Sequence, residues 1–228
     1  MNQQPKYRHE EKYIISSSDH MLLSSRLRAV LKCDKNACSD GTYKVRSIYF
    51  DDAYDSSLHD NLGGVYNKQK YRIRMYNNDP SVIFLEKKMK SDTAGIKLRE
   101  RISSDEAQNI FSGHFDFLLQ KNSPLCQDFY SALRSGLHPI SVIDYRRTAF
   151  LSSAGNVRIT IDDDIRSCRF SGNFFSDFSD GTPTTEKGQC ILEVKYDAFL
   201  PDYIKKLIGV RDLYRSGFSK YTKSRKIF

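Results

Sequence analysis

Apolar and charged residues alternate along many short stretches of this 228-residue chain. Glu10-Glu11-Lys12, Tyr71-Arg72-Ile73-Arg74, Leu85-Glu86-Lys87-Lys88, Lys97-Leu98-Arg99, Val157-Arg158-Ile159-Thr160-Ile161-Asp162 and Leu192-Glu193-Val194-Lys195 share the same two-residue period. Successive side chains of a strand point to opposite faces, so each stretch sends cations, often with a carboxylate, to one side and Ile, Val or Leu to the other. An open sheet would bury the apolar row and solvate the charged one. A closed barrel can do the reverse, packing the apolar row outward against helices and lining a polar bore with the charges. Repetition of the pattern in six stretches favours the barrel.

The same patterning places the other elements. A first strand is expected at residues 8–15, followed by a helix capped by Ser16-Ser17-Ser18-Asp19, with Met21, Leu22, Leu27, Val30 and Leu31 at helical spacing. Tyr43 to Phe50 reads as a strand, and a short helix or turn runs on to Leu62. Strands at 69–76 and 82–90 are joined through Asn77-Asn78-Asp79-Pro80, and a hairpin through Ser91 to Gly95 leads to strand 96–102. Ser103-x-x-Glu106 has the form of a capping box and opens a mostly helical segment to Leu133, broken at Gly113 and near Pro124. Strands follow at 140–151 and 156–162, then a loop at 171–188 and a strand at 189–197. Pro201-Asp202 opens a helix through Ile208, and Gly217 to Tyr221 lies in a terminal segment. The expected fold class is α+β: an eight-stranded antiparallel β-barrel tunnel with helices packed outside, in a single domain spanning 1–228.

Charge narrows the partner. The formal net charge is +8, which points to an anionic ligand. A nucleic-acid surface is disfavoured because the cations share their faces with Glu, and binding driven by counterion release does not favour carboxylates in its own footprint. Five scattered cysteines without a C-x-x-C pair and five histidines without H-E-x-x-H spacing argue for reduced structural thiols and against a zinc site. No apolar run approaches the ~20 residues of a membrane span, and the start MNQQPKYRHEEK has no secretory core, so a cytoplasmic protein is expected.

A polar bore lined by Arg and Lys suits a long, densely anionic ligand such as polyphosphate or a nucleoside triphosphate. Arg grips two phosphate oxygens with its planar fork, whereas Lys is a movable point charge. Cations so crowded would repel one another unless carboxylates stood among them. Glu10, Glu86 and Glu193 fit that duty, and one or more of them could instead hold a divalent metal bridging phosphates.

The ordered series Arg8-His9-Glu10-Glu11-Lys12-Tyr13, Val45 to Asp51, Lys70 to Tyr76, Phe84-Leu85-Glu86-Lys87-Lys88, Tyr145 to Phe150, Val157 to Asp162, Leu192 to Tyr196 and Phe218 to Tyr221 resembles the VTC domain over nearly the whole chain. The resemblance implies the triphosphate tunnel metalloenzyme fold, in which an eight-stranded antiparallel barrel encloses a basic tunnel. In the eukaryotic vacuolar transporter chaperone this domain makes polyphosphate from ATP with a divalent metal, usually manganese, and releases ADP. Carried over by motif, Arg72, Arg74, Lys88, Arg147, Arg158 and Lys195 form the catalytic set. Lys12, Lys97, Arg99, Ser219 and Lys220, with Lys223 as an addition, hold phosphates. Glu193 is the implied metal ligand, with Glu10 and Glu86 as further candidates for Mn2+ or Mg2+.

The function implied is that of an ATP:polyphosphate phosphotransferase. The same cations would serve a metal-dependent hydrolase of tripolyphosphate or nucleoside triphosphates, or a non-enzymatic polyphosphate-binding module, and fold alone does not separate these. The chain as read carries neither the regulatory domain nor the membrane helices that accompany the eukaryotic domain, so it is expected to resemble stand-alone bacterial members. Export of product would then need a membrane-protein partner.

Overall fold

The computed structural model describes residues 8–65, 67–90, 95–172, 174–175, 181–209 and 213–228. Among the described residues, ten antiparallel strands and six α-helices make up the fold. In chain order the strands are β1 (His9–Ser16), β2 (Lys32–Cys33), β3 (Thr42–Asp51), β4 (Lys68–Tyr76), β5 (Ile83–Lys90), β6 (Gly95–Ile102), β7 (His138–Ser152), β8 (Val157–Arg169), β9 (Thr182–Pro183) and β10 (Gln189–Tyr196). The helices are α1 (Ser17–Arg28), α2 (Ser56–Leu62), α3 (Ser104–Phe111), α4 (Pro124–Arg134), α5 (Asp202–Ile208) and α6 (Lys220–Arg225).

Eight of the strands form one path in the order β1-β10-β8-β7-β3-β4-β5-β6, with two-residue β2 and β9 attached to β7 and β8. The expected α+β class and antiparallel eight-strand path are therefore present. Among the described residues no backbone ladder joins β6 to β1, so hydrogen bonds do not close the ring. The sheet nonetheless curls far enough for a side-chain contact to reach across the gap: Lys88 Nζ on β5, the strand next to the β6 edge, lies 3.3 Å from Glu10 Oε2 on β1. The free edge of β1 is taken by the terminal segment, where Ser216 N donates to Lys12 O at 2.8 Å.

Local chemistry sets the element ends. Ser16 and Ser103 cap α1 and α3 through reciprocal capping boxes with Asp19 and Glu106. Pro124 sits in the first turn of α4, where its missing N–H is not needed. Asn77 and Asn78 both adopt φ 54° in the β4–β5 turn, a conformation that Asn tolerates well.

Three apolar clusters follow from the two-residue period. On the outer face of β4 and β5, Tyr71, Ile73, Met75, Ile83 and Leu85 pack with Ile110, Leu125 and Phe129 of α3 and α4. Behind β1, β8 and β10, Tyr13, Ile159, Ile161, Leu192 and Val194 pack with Leu23, Leu27, Ile204 and Ile208 of α1 and α5. The third cluster lies within the curl, where Tyr43, Val45, Tyr49, Ile143, Tyr145 and Ile191 meet Phe218 and Tyr221. The bore is thus not polar throughout, because the carboxyl-terminal segment inserts an apolar collar into it.

Several sequence expectations need correction. The buried face of α1 is carried by Leu23 and Leu27, while Met21 is 70% and Val30 54% exposed. The helix ends at Arg28, so Val30 and Leu31 never join its face. β8 runs on past Asp162 to Arg169, and residues 182–183 of the expected long loop pair with β8. Residues 91–94 of the expected hairpin turn, and 173 and 176–180 of that loop, lie outside the described residues. No helix among the described residues is long and apolar enough to cross a membrane.

Candidate functional site

The strand period turns the charged rows into the curl, where they sort into neighbouring groups. Around Glu86, which is 1% exposed, four cations gather from the two flanking strands, β4 and β6. Arg72 approaches Oε2 with Nε at 2.7 Å and Nη2 at 2.6 Å, Lys97 reaches Oε1 at 2.5 Å, Arg99 lies at 3.7 Å and Arg74 at 4.0 Å. Burial alone would raise the Glu86 carboxyl, but Arg72, Arg74 and Lys97 outweigh it and hold it far below the usual range. Arg99 also stacks on Phe84, its guanidinium carbon 3.3 Å from the ring centre. Lys97 is pushed down to about 7 by burial and by Arg72.

A second group forms on β7, β8 and α6. Asp162 is fully buried and accepts from Arg147 Nε at 2.5 Å, Arg147 Nη2 at 2.8 Å and Lys220 Nζ at 2.5 Å. A break in the β7–β8 register between Asp144 and Arg146 accompanies this arrangement, as bulges commonly re-aim the side chains beside them. The third group joins β1 and β10, whose register sets Glu10 opposite Lys195 and Lys12 opposite Glu193. Lys195 Nζ is 2.7 Å from Glu193 Oε1 and 3.5 Å from Glu10 Oε2, and Lys12 Nζ is 3.0 Å from Glu10 Oε1. Burial raises Glu193, yet Lys195, Lys12, Arg147 and Lys220 together hold it well below the usual carboxylate range. The same two residues, Arg147 and Lys220, tie this group to the second.

Arg158 stands apart from these groups. Its Nη2 donates to Asp34 Oδ2 at 2.7 Å and to the Tyr43 hydroxyl at 3.0 Å. Ser219 caps α6, accepting from Thr222 N at 3.3 Å, and lines the mouth of the bore. That mouth is a cavity of about 870 Å³ walled by Lys68, Lys70, Lys88, Lys90, Lys223 and Lys226 among others.

Sequence reasoning missed the groups that hold the arginines in place. Arg72 Nη1 donates to the Tyr49 hydroxyl at 3.0 Å, and Arg74 donates from Nε to Ser47 Oγ at 2.9 Å and from Nη2 to the Tyr145 hydroxyl at 3.2 Å. With Tyr43 on Arg158, three phenols each accept from a different arginine of the bore. The common parity of Tyr43 and Tyr49 with Ser47 on β3 was visible in the sequence, but alternation marks a face and not a partner. Burial raises the Tyr49 phenol, but Arg72, Arg74 and Lys70 outweigh it and draw it down to about 7.

Two charged residues near these motifs lie on the outside. Lys87 Nζ pairs with Asp128 of α4 at 2.6 Å, and Arg46 forms a two-point pair with Asp144, its Nη2 at 2.7 Å. Both fix structure outside the bore.

Among the described residues, no three His, Cys, Asp or Glu side chains converge as a ready metal site. Two carboxylates do converge, Glu10 and Glu193, with the ammonium of Lys195 within 3.5 Å of one and 2.7 Å of the other. Magnesium and manganese sites of this kind use one or two carboxylates and complete the shell with phosphate oxygens and water, so this donor set fits. Glu86 differs in its company: its oxygens face the guanidinium groups of Arg72 and Arg99 as well as Lys97, whereas the close partners of Glu10 and Glu193 are lysines.

Residues 7–228 match the sequence profile described as VTC domain. No curated protein matches the chain. Among solved structures the chain is similar to HpAC1 from Hippeastrum, described as an adenylyl cyclase with a dominant triphosphatase activity, at 16% identity over 95% of this chain and 94% of that chain with a TM-score of 0.58. It is similar to a protein from Bacillus halodurans, at 12% identity over 95% of this chain and 96% of that one with a TM-score of 0.56. A third likeness is to the PH1819 protein from Pyrococcus horikoshii, at 13% identity over 97% and 100% of the two chains with a TM-score of 0.52. At these identities the likeness is one of fold.

Proposed function

Because the chain belongs to the VTC domain family, we propose that it is a phosphotransferase that carries the γ-phosphoryl group of ATP to the end of a growing polyphosphate chain, acting as one domain over 1–228. The observation that supports this reading is the convergence of Lys12, Arg72, Arg74, Lys88, Lys97, Arg99, Arg147, Lys195 and Lys220 on one curled interior, each matched to a carboxylate of the fold. Those carboxylates are placeholders for phosphate charge.

In this scheme a terminal phosphate oxygen of the acceptor attacks the γ-phosphorus in line. The bond from that phosphorus to the β-phosphate oxygen breaks, a new phosphoanhydride forms, and ADP leaves. Arg72 and Arg74, held at fixed angles by Tyr49, Ser47 and Tyr145, offer their forks to the equatorial oxygens, and Arg147 and Lys220 meet phosphate in place of Asp162. A divalent cation held by Glu10 and Glu193 would add charge neutralisation at the bridging oxygens. No Ser, Cys or His nucleophile is required, since this chemistry depends on positioning and charge stabilisation. On this reading the protein works in the cytoplasm, where ATP is, and export of product falls to a membrane-protein partner.

The fold shared with the Hippeastrum protein, described as dominantly a triphosphatase, supports a second reading in which water replaces the chain end as nucleophile. One experiment separates them. Pure protein is incubated with ATP and Mn2+, the nucleotides are resolved, and phosphate chains are displayed on a gel. ADP with a ladder of chains is the expected result. ADP with orthophosphate alone identifies a hydrolase, and intact ATP with retained polyphosphate identifies a binding module.

A further inference from the structure

Lys195 occupies the seat of a cation. Its ammonium bridges Glu193 Oε1 at 2.7 Å and Glu10 Oε2 at 3.5 Å, while Lys12 and Lys88 hold Glu10 from either side at 3.0 and 3.3 Å. The register of β1 against β10 builds this arrangement, two carboxylates alternating with two ammoniums on adjacent strands. Two negative charges thus already face three positive ones. A divalent cation entering alone would meet strong repulsion at low effective dielectric, and would have to evict the ammonium from both carboxylates.

A triphosphate changes that balance. It brings about four negative charges, enough to receive Lys195 and to complete the shell of a divalent cation together. Lys195 is suited to the move, since its side chain is 32% exposed and its four-carbon stem is flexible, unlike Arg72 and Arg74, which are tied to phenols and a serine.

Resting on the reading of the bore as a metal-dependent triphosphate site, we propose that Lys195 is an exchange residue: it substitutes for the metal between Glu10 and Glu193 in the anion-free protein and transfers to phosphate when a triphosphate enters, so that metal and triphosphate bind as a pair. By linkage, the factor by which triphosphate tightens the metal equals the factor by which the metal tightens triphosphate.

The test uses the full chain and titrates Mn2+, following free Mn2+ by its electron paramagnetic resonance signal, with and without the non-hydrolysable analogue adenylyl imidodiphosphate. Manganese bound by free analogue is subtracted. Wild type should bind Mn2+ at least tenfold more tightly with the analogue than without. Lys195→Met, which keeps the stem and removes the charge, should bind Mn2+ alone at least tenfold more tightly than wild type, and the gain from the analogue should shrink accordingly. Lys195→Arg, which keeps the charge, should retain weak binding of Mn2+ alone. Equal Mn2+ affinity of wild type with and without bound analogue would overturn the proposal, as would a folded Lys195→Met that binds Mn2+ alone no better than wild type. Should Lys195→Met fail to fold, the wild-type comparison and Lys195→Arg still decide. An analogue that does not bind wild type under either condition overturns the functional reading and the proposal with it, whereas an analogue that binds without tightening Mn2+ overturns the proposal alone.

Discussion

Arg147 grips Asp162 at two points, Nε to Oδ1 at 2.5 Å and Nη2 to Oδ2 at 2.8 Å, inside the curl of the sheet. Burial would raise the Asp162 carboxyl, but Arg147 and Lys220 hold it below its ordinary value. Asp162→Asn leaves both cations buried without a counter-charge, a loss that typically costs about 3–5 kcal/mol. For a chain of this size the expected fall in Tm is roughly 6–20 °C. Tripolyphosphate should restore part of it, because phosphate takes the place of the carboxylate. Thermal unfolding with and without tripolyphosphate checks both statements, and an unchanged Tm would contradict the pairing.

Arg74 commits Nε to Ser47 and Nη2 to Tyr145, which fixes the plane of its fork. Arg74→Lys keeps the charge and loses that orientation; Arg74→Ala loses both. If preorganised charge carries the catalysis, Arg74→Ala should lower kcat by roughly 10²–10³, and the Lys variant should recover only a small part. Far-UV circular dichroism should stay native, since Arg72 and Lys97 still neutralise Glu86. Near-normal turnover of the Ala variant would remove Arg74 from the chemistry.

The strands were legible because charge alternated with apolar residues on a period that only a strand gives one face. Strand 69–76 was expected, and Lys68–Tyr76 is seen. The face of α1 was legible only in part: Leu27 was expected there and is buried, but Met21 and Leu22 also satisfy a helical period, and docking against β1 and β10 selects Leu23 in their place. Asp162 looked like the end of a strand, and only the continuation of β8 to Arg169 puts it in the middle of the site. Alternation also cannot say which carboxylate meets which cation across the curl. Glu86, Glu10 and Glu193 look alike in sequence, yet the first sits among Arg72, Arg74 and Lys97 while the others share Lys195. Nor does the pattern mark the phenols of Tyr43, Tyr49 and Tyr145, which sit in the apolar cluster of the curl and also accept from arginine.

The crowded cations give stability a defined pH dependence. Tyr49 is drawn down to about 7 because Arg72, Arg74 and Lys70 outweigh its burial, and an acid with a depressed folded value loses its stabilisation as pH falls through that value. Lys70, pushed down to about 8 by burial and neighbouring lysines, and Lys97, at about 7, are bases that release protons on folding, so they work in the same direction. In the window from pH 7 to 10 the unfolded chain binds more protons at these three groups, and Tm of the anion-free protein should rise with pH. Binding of tripolyphosphate near pH 8 should reverse the shifts and take up protons. Calorimetry in buffers of different ionisation enthalpy measures that uptake, and proton release would count against it.

Glu86 and Glu193 should separate in a metal titration. Glu193 shares Lys195 with Glu10, so Glu193→Gln removes one of two carboxylates available to a divalent cation and should weaken Mn2+ binding at least tenfold, measured with adenylyl imidodiphosphate present. Glu86 instead spends both oxygens on Arg72, Lys97 and Arg99. Glu86→Gln should leave Mn2+ affinity within about twofold under the same conditions, while lowering Tm, since a buried carboxylate that balanced several cations is lost. Acid should have the same effect on wild type only far below neutrality: the carboxyl is held down in the fold, so its contribution is intact above the ordinary Glu range and fades as pH drops through the depressed value. If both variants weakened Mn2+ alike, the metal would have to lie between the first and third groups, and the division of labour among the three glutamates would be wrong.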